Sequence, residues 1–192
     1  FNNIIRKITS EGVVTTFASG FSTPIGITVD SFGNVYVSDH GNHRIYKITS
    51  VGIVTTLAGS GGSGNTDGTG TNASFNLPWG LAVDSSGNVY VGDFLNQRVR
   101  KITSAGVVTT LAGNSQGYAD GTGTNASFNY LRGITLDSTG NIYVADVENN
   151  RIRRITPAGV VTTVVGQTTA GSTDGIGTNA SFSKPYGIAF AT

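Results

Sequence analysis

Residues 80–113 read GLAVDSSGNVYVGDFLNQRVRKITSAGVVTTLAG. Four short runs rich in Val, Ile, Thr and Tyr are separated by turn residues, as pleated strands joined by tight connections require. The same sentence is written twice more. Residues 26–59 read GITVDSFGNVYVSDHGNHRIYKITSVGIVTTLAG, and residues 133–166 read GITLDSTGNIYVADVENNRIRRITPAGVVTTVVG. The glycines that open the copies, Gly26, Gly80, Gly133 and Gly187, are 54, 53 and 54 residues apart. A fixed period of this length decides the architecture before any single residue does.

Within a unit the strands are called a to d. In the first copy these are Ile27–Val29, Val35–Val37, Arg44–Ile48 and Ile53–Leu57. The a–b turn is Asp-Ser-x-Gly-Asn, and the c–d turn is Thr-Ser/Pro-x-Gly. Gly supplies the positive φ in such turns, and Asp or Asn bonds its own backbone. Turns this short force antiparallel neighbours, so each unit is a four-stranded meander. The strands are apolar on both faces, as Val35 with Val37 and Ile45 with Ile48 illustrate. A lone meander cannot cover two apolar faces, whereas meanders stacked round an axis can. The fold class expected is therefore all-β, a β-propeller of four-stranded antiparallel blades. Whole blades fall at 24–60, 78–113 and 131–166; a half blade occupies 1–20, and 185–192 hold the first strand of another. That set is one strand short of four complete blades. The expectation is a portion of a longer propeller, or a ring completed by a second chain.

Composition narrows the function. The 192 residues carry a net charge of +1, and 12% of them are charged. That is too sparse a basic field for a nucleic-acid surface. No apolar run approaches the roughly 18 residues of a membrane span. The chain has no Cys and no Met and begins at Phe1, so it reads as a processed or trimmed product without disulfides or thiolate metal sites. A surface vocabulary of Gly, Thr, Ser and Asn favours an extracellular or bacterial cell-surface location.

The pattern G-[IL]-[AT]-[VL]-D-S-x-G-N-[VI]-Y-V-x-D-x-x-N-x-R-[IV]-x-[KR]-I-T resembles the NHL repeat, and it covers nearly the whole chain. The resemblance implies a propeller, most often six-bladed. Its Asp-x-x-Asn-x-Arg element stands at Asp39/Asn42/Arg44, Asp93/Asn96/Arg98 and Asp146/Asn149/Arg151. An Arg fork can bind a carboxylate bidentately, and repetition in every copy favours an ion-pair latch over a ligand site in each blade. In the first partial copy Ile4 holds the Arg position, so that blade is expected to lack the latch.

Antiparallel order puts the b–c and d–a connections on one rim, and that rim is where the copies differ. Functional groups are usually grafted onto such loops. The first d–a connection is short (19–23). The next three are long, and each contains Asp-Gly-x-Gly-Thr-Asn-Ala-Ser-Phe. Their Phe residues (Phe75, Phe128, Phe182, and Phe21 in the short loop) are expected to pack on the blade. Asp67, Asp120 and Asp174 are weak Ca²⁺ candidates, because one carboxylate per loop is too few for a tight site. The sharpest variation precedes the opening glycine: Ile25, Trp79, Arg132 and Tyr186. With Phe94, His40 and Glu148 from the b–c turns, these residues are expected to ring the channel mouth and bind a sugar, peptide or other small polar ligand. His40 and His43 share one turn and no third His exists, so a three-His metal centre cannot be assembled within this chain. The function expected is a non-catalytic propeller recognising a protein or glycan, without a required cofactor. The alternatives are a propeller hydrolase or lyase with a channel metal completed elsewhere, and a structural repeat module.

Overall fold

The computed structural model describes residues 2–191. Sixteen strands follow in order: β1 (Ile5–Ile8), β2 (Val14–Ala18), β3 (Pro24–Val29), β4 (Val35–Asp39), β5 (Arg44–Ile48), β6 (Val54–Ala58), β7 (Gly68–Thr69), β8 (Pro78–Val83), β9 (Val89–Asp93), β10 (Arg98–Ile102), β11 (Val107–Ala112), β12 (Gly121–Thr122), β13 (Leu131–Leu136), β14 (Ile142–Asp146), β15 (Arg151–Ile155) and β16 (Val160–Gly166). They form three antiparallel meanders, β3–β6, β8–β11 and β13–β16, plus the two-stranded sheet β1–β2. These are propeller blades set side by side, and they do not close into a ring. Ile188–Phe190, expected as an inner strand, is not paired as a strand.

Local chemistry makes each blade. In the a–b turn of the last copy the Asp137 carboxylate accepts the Thr139 and Asn141 amides, the Asn141 side chain and the Tyr143 hydroxyl. The hydrogen bond from Asn141 leads the set that holds this carboxyl far below the usual range. Asp30 and Asp84 accept the equivalent donors. Burial, reinforced by the neighbouring aspartate, pushes the Tyr36 and Tyr90 hydroxyls up to about 12.

The core lies between blades. Tyr36, Ile45 and Ala58 of one blade meet Leu81, Val89, Val91 and Ile102 of the next. Tyr90, Val99 and Ala112 then meet Ile134, Ile142, Val144 and Ile155 of the third. Both faces of the middle sheet are thereby covered, the reason the strands carry apolar residues on each side. The inner strands approach so closely that a Cβ at Gly26 or Gly80 would collide with the carbonyl of Trp79 or Arg132 on the neighbouring blade. The glycine that opens each unit is thus the residue that lets inner strands touch.

Two features differ from the sequence expectation. The first two long d–a loops are partly ordered as sheet: β7 pairs with β11 and β12 with β16, so each of these two adds a fifth, outermost strand to the blade that follows it. The ion-pair latch also uses another arginine. The Asp93 and Asp146 carboxylates are fully buried, and their ion-pair partners are Arg100 (2.8 Å) and Arg153 (2.7 Å) rather than Arg98 and Arg151. Arg98 does stand opposite Asp93 in register. It lies at the exposed rim, however, and its guanidinium turns to the Asn65 carbonyl and the Asn114 side chain. Arg44 and Arg151 likewise reach Ser60 and Thr168. A buried carboxylate needs a buried cation, and the arginine one pleat further along the strand supplies it. Asp39 has no such partner, because Tyr46 stands at that place and packs edge-on to Phe21 at 5.5 Å.

Candidate functional site at the channel mouth

The d–a loops and b–c turns meet on one rim, as their hydrogen bonds require. The Ser22, Asn76 and Asn129 amides donate to Asp39, Asp93 and Asp146 at 2.7–2.8 Å. Asn42, Asn96 and Asn149 donate to the other oxygen of the same carboxylates. This Asp–Asn pair ties each b–c turn to the loop before it, and so positions whatever side chains stand on the two.

One step further in, residues with positive φ face each other across blade junctions. His43, Gln97 and Asn150 have φ of 54–55°, and each accepts the backbone N–H of a second left-handed residue: Leu77, Tyr130 and Lys184. Asn3 does the same for Thr23. His43 is therefore a blade-to-blade clasp rather than a member of the site. The sequence signal for this clasp is the polar residue immediately before Arg44, Arg98 and Arg151, with Asn3 before Ile4 in the partial copy: Asn3, His43, Gln97 and Asn150 all carry a side-chain acceptor.

These fastenings bring five of the six expected ligand residues together. The Arg132 guanidinium lies 3.9 Å from the Tyr186 ring centre, 4.6 Å from Trp79 and 5.4 Å from Phe94. Trp79 is 5.2 Å from Phe94, which stacks on Tyr130 at 4.9 Å. His40 stands edge-on to Trp79 at 5.1 Å, with Nδ1 3.3 Å from the Pro78 carbonyl. Burial depresses the basicity of His40 and Arg132 alike. Glu148, the sixth, is ion-paired with Lys184 at 2.9 Å, from where its charge still acts on Arg132 against the effect of burial. Beneath the aromatic residues opens a cavity of about 370 Å³, lined by Ile25, Trp79, Arg132, Tyr186 and the glycines of the inner strands.

Arg132 is the chemically conspicuous group. No carboxylate among the described residues lies within ion-pair distance of its guanidinium. Rings cover its faces, which leaves the N–H edge as the part able to receive an anion.

Two of the three calcium candidates are engaged inside the protein, while Asp174 is exposed and makes no ion pair among the described residues. Asp67 accepts Arg100 (2.7 Å) and the Thr110 hydroxyl on Oδ1 and the Thr110 amide on Oδ2. Asp120 does the same with Arg153 and Thr163. Both oxygens of each accept hydrogen bonds, so these carboxylates anchor their loops to the blade. Among the described residues no group of three or more His, Asp or Glu is arranged to hold a metal ion.

Comparison with known proteins agrees with the repeat and the fold. The NHL repeat pattern matches residues 21–47, 75–102 and 128–155. NHL repeat-containing protein 2 of Gallus gallus is 37% identical over 92 residues, 47% of this chain and 12% of that protein. A structural-genomics protein of unknown function from Bacteroides thetaiotaomicron superposes with a TM-score of 0.74 at 26% identity, over 94% of this chain and 46% of its own. Virginiamycin B lyase from Staphylococcus aureus superposes with a TM-score of 0.61 at 20% identity, over 84% of this chain and 48% of its own, a likeness of fold alone. The chain spans less than half the length of each of these proteins.

Proposed function

We propose, for a chain that belongs to the NHL-repeat family, a non-catalytic binding function centred on the channel mouth, with a protein or glycan as the ligand and a carboxylate of that ligand set against Arg132. The observation that carries this reading is the unpaired guanidinium of Arg132, enclosed by Trp79, Tyr186 and Phe94 at the opening of a cavity. Aromatic faces suit sugar rings and side chains, and the guanidinium edge suits a carboxylate. The Gly-, Thr- and Asn-rich surface supports an extracellular setting.

Trp79 is the sole tryptophan, so its fluorescence reports the site directly. Binding is screened on an array of acidic and neutral glycans and peptides, then titrated by that emission. The expected result is a ligand whose affinity falls at least tenfold in Arg132→Ala. That is the scale of losing a charge-assisted hydrogen bond worth about 1.5–3 kcal/mol. A Trp79→Ala, Arg132→Ala double variant that folds normally and still retains its ligand removes this site from consideration.

A further inference from the structure

The a–b and c–d turns form the rim opposite the channel mouth, and there the copies are nearly alike. One position breaks the pattern. The third residue of the Asp-Ser-x-Gly-Asn turn is Ser86 in the second copy and Thr139 in the third, but Phe32 in the first. The Phe32 ring is 79% exposed, so packing does not account for it.

Phe32 is one wall of a cavity of about 330 Å³ between β3–β6 and β8–β11, two whole blades. The first blade supplies the turn 30–34, Tyr36 and Lys47, and the second supplies the turn 84–87 and Ser104. Tyr36 is buried, with its hydroxyl donating to Asp30 at 3.1 Å, and the Lys47 ammonium lies 5.7 Å from its ring centre.

The polar groups here are of two kinds. The Asp30 and Asp84 carboxylates each accept two amides, an Asn side chain and a Tyr hydroxyl, so their lone pairs are taken by their own turns. The hydroxyls of Ser31, Ser85, Ser86 and Ser104 are exposed and make no hydrogen bond among the described residues, and Lys47 makes no ion pair there. In the third copy the equivalent of Ser86, Thr139, folds its hydroxyl back onto Asp137, and Pro157 stands in place of Ser104. The cavity at that next junction is lined by Val83, Leu136 and the two turns, with neither an aromatic ring nor a lysine. Of these two junctions, only the first combines ring, ammonium and free hydroxyls.

The charges select the ligand. Two carboxylates against one ammonium give walls that repel an anion. A cation would meet Lys47 and find the carboxylate lone pairs already used. A neutral ligand rich in hydroxyls meets neither obstacle: its hydroxyls suit the serines and Lys47, and an apolar face suits Phe32. We propose that this junction is a second binding site, for a neutral sugar residue. Phe32 is the stacking platform, and Lys47, Ser86 and Ser104 are the hydrogen-bonding groups. The site is independent of Arg132 and lies on the other rim.

Titration of ¹⁵N-labelled protein with neutral oligosaccharides of glucose, galactose, mannose or N-acetylglucosamine, read by amide chemical shifts, tests the proposal. At least one should shift amides in the turns 30–34 and 84–87 and at Ser104, while those of Trp79 and Arg132 stay in place. Phe32→Ser and Ser104→Pro each install the residue that another copy carries, so the turns are kept. Phe32→Ser should weaken binding by about tenfold or more, the scale of losing an aromatic platform. Ser104→Pro should also weaken it, Arg132→Ala should leave it unchanged, and the uronate counterpart of the bound sugar should bind more weakly. No shift in these turns at millimolar sugar overturns the proposal. Shifts confined to the channel mouth, Phe32→Ser binding like the wild type, or a uronate that binds more tightly overturn it as well.

Discussion

The latch shows how much a single side chain decides. Asp93 and Asp146 are sealed from water, and burial pushes both carboxyls up against the hydrogen bonds that lower them. Removing the cation strands a buried charge, which costs about 3–5 kcal/mol in comparable pairs. Arg153→Met should therefore lower stability by roughly that amount in urea denaturation, while Arg151→Met, at the exposed rim, should change it by only ~0.5 kcal/mol or less. The sequence pattern Arg-x-Arg offers both arginines, and simple cross-strand spacing selects the wrong one, since Arg98 and not Arg100 sits opposite Asp93. Side-chain reach and depth determine the pairing, and neither is written in a motif. One legible signal pointed the right way: Tyr46 occupies the second arginine position only where the loop carries no aspartate.

Elements are held to one another by paired left-handed residues. His43, Gln97 and Asn150 each carry an acceptor that reaches the next blade's entry, so the residue type matters less than the lone pair it presents. His43→Ala should cost about 0.5–1.5 kcal/mol, the net value of one hydrogen bond. His43→Asn should lose little, since Asn3 and Asn150 make the same bond and Asn tolerates positive φ well. Thermal unfolding of the two variants beside wild type separates the outcomes. Blades, turns and their order were legible because strand period, turn glycines and the repeat agree with one another. The fifth strands β7 and β12 were not, because a two-residue Gly-Thr segment is too short to show a strand period, its Gly is depleted in strands, and it is ordered by the edge it meets.

For the molecule as a whole, repetition separated scaffold from site. Positions identical in every copy proved to be turns and close approaches, while the irregular ones, Trp79, Arg132, Tyr186, Phe94 and His40, gather at one opening. Their proximity was readable from topology; the stacking of rings on the guanidinium was not, since it depends on rotamers. The loop strands carry one more consequence. β11 and β16 are roofed by β7 and β12, whereas β6 is left as the bare outer edge of its blade. An uncovered edge opens by local fluctuation and is a template for unwanted pairing. In native-state hydrogen–deuterium exchange, the amides of Val54–Leu57 should lose protection well before those of Val108–Leu111. Aggregation under mild heating should begin from that same uncovered strand.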